Sequence, residues 1–158
     1  MNVLEIITSL KFMAGKLKPH LRKSIIKQTL EKKKSNKDLD SDSFMLLSLR
    51  HLDKEQGHNL YEWEANAMLA HSIEVLSGYC NDTLLNQTDG QKFTIYGDFP
   101  PDEKTEYYPP EQIPEDANWA RLHITGKQCV IGHIVKNVFY VVFLDGEHKF
   151  WKSELKNT

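Results

Sequence analysis

Three consecutive runs of β-branched and aromatic residues constrain the fold of this chain more than any other feature. The runs cover residues 120–125, 128–135 and 138–145, and only Gly126-Lys127 and Lys136-Asn137 separate them. Such two-residue connections are typical of tight hairpins, because Gly suits the first central position of a type II′ turn and Asn tolerates positive φ. The pattern predicts a three-stranded antiparallel meander over residues 119–151.

The turns also predict the register of the meander. Pairing Thr125 with Gln128 and Val135 with Val138 places Arg121 opposite Gly132. One face then carries Leu122, Ile124, Cys129, Ile131, His133, Tyr140, Val142 and Leu144, and the other carries Arg121, His123, Val130, Gly132, Ile134, Phe139, Val141, Phe143 and Asp145. Because the third strand is apolar on both sides, we expect helices or loops to cover both faces.

The residues before the meander predict an α+β domain with a helix packed on an antiparallel sheet. Residues 44–53 favour a first strand, and residues 60–77 favour an amphipathic helix that Gly78 should end. Asn81 or Asp82 is suited to cap a short helix over residues 83–87, and residues 92–96 favour a short strand. Residues 88–118 are acidic and hold five of the six prolines, which predicts a loop, either ordered or mobile.

The N-terminal segment differs from the rest in charge and pattern. Apolar side chains recur at helical spacing over residues 2–17, and Pro19 suits the first turn of a second helix. We therefore predict a basic helical arm at residues 1–37 and a linker at 38–43, followed by the α+β domain at 44–158. So small a helix pair should dock on the main domain, a second copy or another protein, and a membrane surface is a further alternative.

Charge is divided unevenly along the chain. Residues 1–37 carry ten Lys/Arg against two Glu, a net +8, whereas residues 38–118 carry −13 and residues 119–158 carry +3. The basic ends could meet a polyanion, and the acidic middle could repel it or fold back on the basic arm and mask it. Solvated charged faces without any partner are the simpler alternative.

Composition disfavours several classes of protein. Cys80 and Cys129 are far apart and form no CxxC spacing, so neither a disulfide framework nor a metal site is expected. A cysteine nucleophile is disfavoured as well, because a cysteine inside an apolar strand is normally an inert thiol. The apolar residues near the N-terminus are interrupted by Glu5 and Lys11, and no apolar run is long enough to span a membrane. We expect a cytoplasmic protein without a small-molecule cofactor.

The segment WARLHITGKQCVIGHIVKNVFYVVFLDGEHKFW resembles the C-terminal sheet of the RelE/HigB/ParE toxin superfamily. In that superfamily an N-terminal helical hairpin is followed by an Arg-x-x-hydrophobic-Gly strand, an apolar hairpin and a final strand that closes on a His/Arg-Lys-x-aromatic segment. RelE and HigB members cleave messenger RNA, usually on the ribosome, by activating the ribose 2′-hydroxyl, whereas ParE members act on DNA gyrase. A bound antitoxin neutralises both kinds.

The resemblance implies a set of site residues when it is carried over by position. Arg121, Lys127, His148 and Lys149 would be catalytic residues facing phosphate, with His148 as general acid or base because imidazole exchanges protons near neutral pH. His123, Trp151 and Lys152 would contact nucleic acid. The implied partners are an antitoxin or another protein of a defence complex, and RNA or the ribosome.

The departures from the superfamily leave more than one function open. Cys129 stands where nuclease members usually carry arginine, no tyrosine lies near Gly132, and Trp151 replaces the terminal tyrosine. Tryptophan cannot act as a base, but it can stack on a nucleobase. The pI of about 6.4 is also low for a ribosome-binding toxin. The sequence therefore predicts either an RNA-cleaving toxin or a non-catalytic interaction subunit of a toxin-antitoxin or phage-defence complex, with gyrase inhibition or an unrelated small α+β protein as further alternatives.

Overall fold

The structure, a computed structural model, describes residues 42–152. These residues form an α+β fold, which confirms the predicted class. In chain order the elements are β1 (Leu46–Ser48), α1 (Leu60–Ala65), α2 (Leu69–Tyr79), α3 (Leu84–Gln87), β2 (Phe93–Gly97), a 3-10 turn (Asp102–Lys104), β3 (Asn118–Thr125), β4 (Gln128–Val135) and β5 (Val138–Asp145). The predicted basic helical arm at residues 1–37 lies outside the described residues, as does most of the predicted linker at 38–43.

The sheet has the strand order β1-β5-β4-β3-β2, and the predicted meander forms its centre as β3, β4 and β5. The expectation of an antiparallel sheet is wrong at one edge, because β1 runs parallel to β5. A short apolar run predicts a strand but carries no information about its direction. The parallel pairing requires a long crossover, which the helices, β2 and the meander provide.

The register agrees with the prediction at both turns and departs from it inside the strands. Thr125 pairs with Gln128 and Val135 with Val138, but a register shift between His123 and Thr125 places Arg121 opposite Ile131 rather than Gly132. A second register shift lies in the β4–β5 pair. One inserted residue turns the following side chains to the other face of a sheet. The predicted faces are therefore wrong in part: Leu122, Val130 and Leu144 lie on one face, and Arg121, Ile131 and Phe143 on the other.

Both faces of the sheet are covered, as the apolar third strand predicts. The helical face packs Trp63 of α1, Leu76 of α2 and Leu84 of α3 against the sheet. The opposite face is covered by the acidic Pro-rich segment, which contributes Tyr107 and Ile113, and by Phe150. We call this second side the loop face. Because these side chains pack against the sheet, the Pro-rich segment predicted as a loop is ordered over this face.

The predicted helix at residues 60–77 is divided into α1 and α2. Ala67 adopts a left-handed conformation with φ of +57°, and the amides of Ala67 and Met68 donate to the carbonyls of Glu64 and Trp63. This is the Schellman arrangement that closes a helix, here without the glycine that usually marks it. The other predicted boundaries also differ, since Gly78 lies inside α2 and Thr83, rather than Asn81 or Asp82, caps α3.

Two backbone details fix the meander. Gly126 has a φ of +52°, as a type II′ turn requires, but in the second hairpin Lys136 rather than Asn137 takes the positive φ. The side chain of Asn137 instead donates to the carbonyl of Phe44, 2.8 Å away, which ties β1 to the hairpin. Gly132 is obligatory, because a Cβ there would lie 2.1 Å from the carbonyl oxygen of Tyr140.

Candidate functional site

Arg121 is the centre of the polar cluster on the loop face. Its Nη1 lies 2.7 Å from His148 Nε2, and its Nη2 donates to the carbonyl of Gln91 at 2.7 Å and to Thr94 Oγ1 at 3.1 Å. A guanidinium can only donate, so His148 Nε2 is the acceptor and carries no proton. The buried Nε of Arg121 has no hydrogen-bond partner among the described residues. A half-buried cation thus retains one unused donor.

His148 is brought to Arg121 by a loop that a buried carboxylate organises. Asp145, at the end of β5, is 1% exposed. Its carboxylate accepts hydrogen bonds from the backbone amides of Lys149, at 2.9 Å, and Phe150, at 2.8 Å. His148 lies inside this loop with a φ of +62°, a conformation that L-residues adopt at a cost. The bonds to Asp145 hold that strained backbone in place.

Two aromatic side chains complete the cluster. The rings of Tyr96 in β2 and Trp151 stack with centroids 4.7 Å apart, and Arg121 Cζ lies 6.0 Å from the centroid of Tyr96. Burial raises the pKa of Tyr96 to about 12, so its phenol keeps its proton at neutral pH and is no general base. Arg121, His148, Tyr96 and Trp151 are called the aromatic-basic cluster below.

Lys149 and Lys152 are engaged by carboxylates rather than open to a phosphate. Glu106 of the Pro-rich segment lies 3.2 Å from Lys149 Nζ and 3.3 Å from Lys152 Nζ, and Glu147 also pairs with Lys149. The hydrogen bonds to Glu147 and Glu106 raise the pKa of Lys149, and the bond to Lys149 is the main cause that lowers the pKa of Glu106. The predicted phosphate ligand Lys149 and the predicted nucleic-acid contact Lys152 are thus both neutralised locally.

The remaining predicted residues lie at the far end of the first hairpin. His123 Nε2 is 2.9 Å from the carbonyl oxygen of Gly126, and Lys127 is exposed in the same turn. Thr125, the last residue before this turn, lies four positions beyond Arg121 along β3, roughly 13 Å at the usual rise per residue. The structure therefore brings Arg121, His148 and Trp151 together and places Lys149 and Lys152 beside them. It leaves Lys127 apart in the turn, and His123, two residues beyond Arg121 on β3, bonds to that turn instead of to the cluster.

A pair of histidines on the loop face has no counterpart among the predicted site residues. His51 Nδ1 lies 2.9 Å from His133 Nε2, the two rings are within 10° of coplanar, and both stack on Tyr140. His133 is only 3% exposed, and burial, followed by the neighbouring His51, lowers its pKa to about 4. A buried, hydrogen-bonded imidazole that is neutral near pH 7 indicates a structural role.

Other candidate chemistry is weaker. Burial raises the pKa of the Cys129 thiol to about 12, in agreement with an inert core cysteine, whereas Cys80 is half-buried. Within residues 42–152, no group of three or more His, Cys, Asp or Glu side chains is arranged to hold a metal ion. A cleft of about 290 Å³ lies beside Lys149 and is lined by Gly57, His58, Glu62, Glu106, Tyr107, Asp145, Glu147 and Lys149.

None of the helices in the described part of the chain has the length and apolar character needed to cross a membrane.

Comparison with known proteins yields no match to a family model, a curated protein or a solved structure. The resemblance to the RelE/HigB/ParE superfamily therefore stays a prediction from sequence pattern.

Tyr96 and Glu106 are the functional candidates that sequence reasoning missed. Tyr96 lies in the weak pattern of β2, and only the pairing of β2 with β3 puts it beside Arg121. Glu106 is one of several acids in the Pro-rich segment, and nothing in the sequence distinguishes it.

Proposed function

We propose that this protein is a toxin-like, RNA-directed protein of a toxin-antitoxin or phage-defence system, and that its aromatic-basic cluster binds a single RNA strand. The observation that carries the proposal is the convergence of a guanidinium, an imidazole and a stacked Tyr96–Trp151 pair on one side of the sheet. Aromatic rings stack on nucleobases, and a guanidinium binds phosphate or a ribose hydroxyl. These are the two kinds of contact that single-strand recognition combines.

The charge of the domain defines what kind of binding to expect. Residues 42–152 carry nine Lys/Arg against seventeen Asp/Glu, a net charge of −8 that opposes a polyanion. Stacking on Trp151, which is worth about 1–3 kcal/mol per base, does not depend on net charge. We therefore expect modest affinity in which stacking contributes more than counterion release, with additional attraction from the +8 charge of residues 1–37.

The test is the affinity of the full chain for a fluorescent twelve-nucleotide single-stranded RNA, measured by anisotropy. Trp151→Ala should weaken binding by about 5- to 150-fold, the equivalent of one lost base stack. Tyr61→Ala, which removes an aromatic ring that is 81% exposed on α1, is the matched control and should leave the affinity unchanged. Equal affinities for all three proteins would contradict the proposal, provided that circular dichroism shows the fold of Trp151→Ala to be intact.

Cleavage of the bound strand is a second candidate, favoured by the 2.7 Å contact between Arg121 and His148. His148 Nε2 could accept the proton of a 2′-hydroxyl; the 2′-oxygen would then bond to phosphorus as the bond to the 5′-oxygen breaks, and water would protonate the leaving oxygen. In the observed arrangement Arg121 occupies that nitrogen, so the substrate would have to displace it. Binding is thus favoured over cleavage.

Cleavage predicts growth arrest on induced expression and RNA ends that carry 2′,3′-cyclic phosphate. His148→Ala should relieve both, whereas Lys127→Ala should relieve neither, because Lys127 lies in the distant turn. Arrest that survives His148→Ala would contradict a catalytic role for this histidine.

A protein partner is favoured by a separate feature, the apolar side chains exposed beside β1. Leu46 is 54% exposed and Val135 46%, and both pair with Val138 on adjoining strands. A non-catalytic interaction subunit, or a toxin that binds an antitoxin, would use such a surface. Leu46→Lys with Val135→Lys should abolish co-purification with the protein encoded beside its gene, whereas Ile73→Lys on α2 should preserve it.

A further inference from the structure

We propose that Glu106 weakens RNA binding at the aromatic-basic cluster by pairing with the adjacent Lys149 and Lys152. An RNA phosphate then competes with this carboxylate for both lysines. This inference rests on the proposed function and names how the same site is regulated. Its basis is a single carboxylate whose two oxygens each pair with one lysine, at 3.2 and 3.3 Å.

The contact is built by the backbone as well as by charge. The amide of Glu106 donates to the carbonyl of Lys149 at 3.3 Å, and the amide of Lys152 donates to the carbonyl of Lys104 at 2.8 Å. These two hydrogen bonds hold the Pro-rich segment alongside the segment that carries Trp151. Glu106 is therefore positioned by the fold, not by chance encounter of flexible side chains.

The contact is also open to competition. The side chains of Lys149, Lys152 and Glu106 are 44%, 41% and 47% exposed, so a strand that stacks on Trp151 can reach the lysines. Ion pairs at such exposure are weak and sensitive to salt. A phosphate can thus replace the carboxylate, but the displaced Glu106 then repels the strand.

The two lysines differ in the number of carboxylates that they pair with. Among the described residues, Lys152 pairs with Glu106 alone, whereas Lys149 also pairs with Glu147. Glu106→Gln should therefore release Lys152 fully and leave Lys149 engaged. Adding Glu147→Gln should release Lys149 as well.

The experiment measures RNA affinity of the full chain between 50 and 300 mM NaCl. Each lysine released to a phosphate of single-stranded RNA should steepen the plot of log affinity against log salt by about 0.7. Glu106→Gln should therefore bind RNA more tightly than the wild type at the lowest salt, with an advantage that shrinks about 3.5-fold between 50 and 300 mM NaCl, and the double variant should add a second step of the same size. Glu111→Gln, which removes an equal charge elsewhere in the Pro-rich segment, should change the affinity much less.

Each alternative outcome has a distinct meaning. If Trp151→Ala weakens binding but Glu106→Gln changes neither affinity nor salt slope, the restraint by Glu106 is overturned and the binding function stands. An equal gain from Glu111→Gln overturns it too, because net charge would then explain the effect. If no variant binds RNA, the proposed function fails and the restraint fails with it. Binding by Glu106→Gln alone, lost on adding Trp151→Ala, would support both.

Discussion

The His51–His133 pair and the aromatic-basic cluster, which contains the single histidine His148, lie on the loop face of the same sheet and have opposite properties. His133 is buried beside His51, and desolvation holds it neutral, with a pKa of about 4. His148 is half-buried, sits in a strained loop and accepts a hydrogen bond from Arg121. The difference teaches that a histidine in a strand of the core is used for packing, whereas His148, on a loop beside a cation, can bind a ligand through Nε2 once Arg121 releases that nitrogen.

The supports of the two clusters differ as well. The His51–His133 pair is held by stacking on Tyr140, which lies on the neighbouring strand. The aromatic-basic cluster depends on one buried carboxylate, Asp145, that fixes the loop between β5 and Trp151. The His51–His133 pair should therefore be lost only when the sheet unfolds. The aromatic-basic cluster should be disrupted by loss of the Asp145 side chain alone.

The largest expected effect comes from removing that carboxylate. Asp145→Ala leaves the amides of Glu147, Lys149 and Phe150 without their acceptor and should lower the free energy of unfolding by about 4 kcal/mol, since bonds to a charged group are worth about 1.5 kcal/mol or more each. Urea unfolding measures this value. Asp116→Ala, at an exposed position, is the control, and an equal loss in both variants would contradict the role of Asp145.

The second prediction concerns pH and the buried cluster. The pKa of His133 is lowered by burial to about 4 in the folded chain against 6.5 in the unfolded one, so the unfolded state binds more protons between these values. Stability should be constant above pH 6.5 and fall by about 3 kcal/mol as the pH drops to 4. His133→Gln should remove this part of the pH dependence, whereas His71→Gln should retain it; identical pH profiles would refute the assignment.

The smallest effect separates strain from binding in the loop. His148→Gly and His148→Ala both lose the contact with Arg121, but only glycine adopts the φ of +62° without cost. The Gly variant should be more stable than the Ala variant by about 1 kcal/mol in thermal unfolding, with equal RNA affinity. Equal stability would mean that the loop relaxes when His148 is removed.

Much of the fold could be predicted from local pattern. The meander, its two turn pairs, the α+β class and the covering of both faces follow from alternation and turn chemistry, which act between neighbours in the chain. Helix division at Ala67 could not be predicted, because its left-handed residue is not a glycine. The direction of β1 could not be predicted either, because strand pairing joins residues far apart in sequence.

In the candidate site, too, residue types could be predicted from the sequence but their arrangement in space could not. By itself the sequence determined which residues can carry the chemistry, a cation at 121, an imidazole at 148 and an indole at 151, since side-chain type is a local property. Only the tertiary structure decided which residues surround them. A register shift in the meander turned Arg121 to the loop face, and β2 brought Tyr96 beside it. Long-range pairing also set Glu106 on Lys149 and Lys152, because such contacts depend on the summed packing of the core rather than on any short segment.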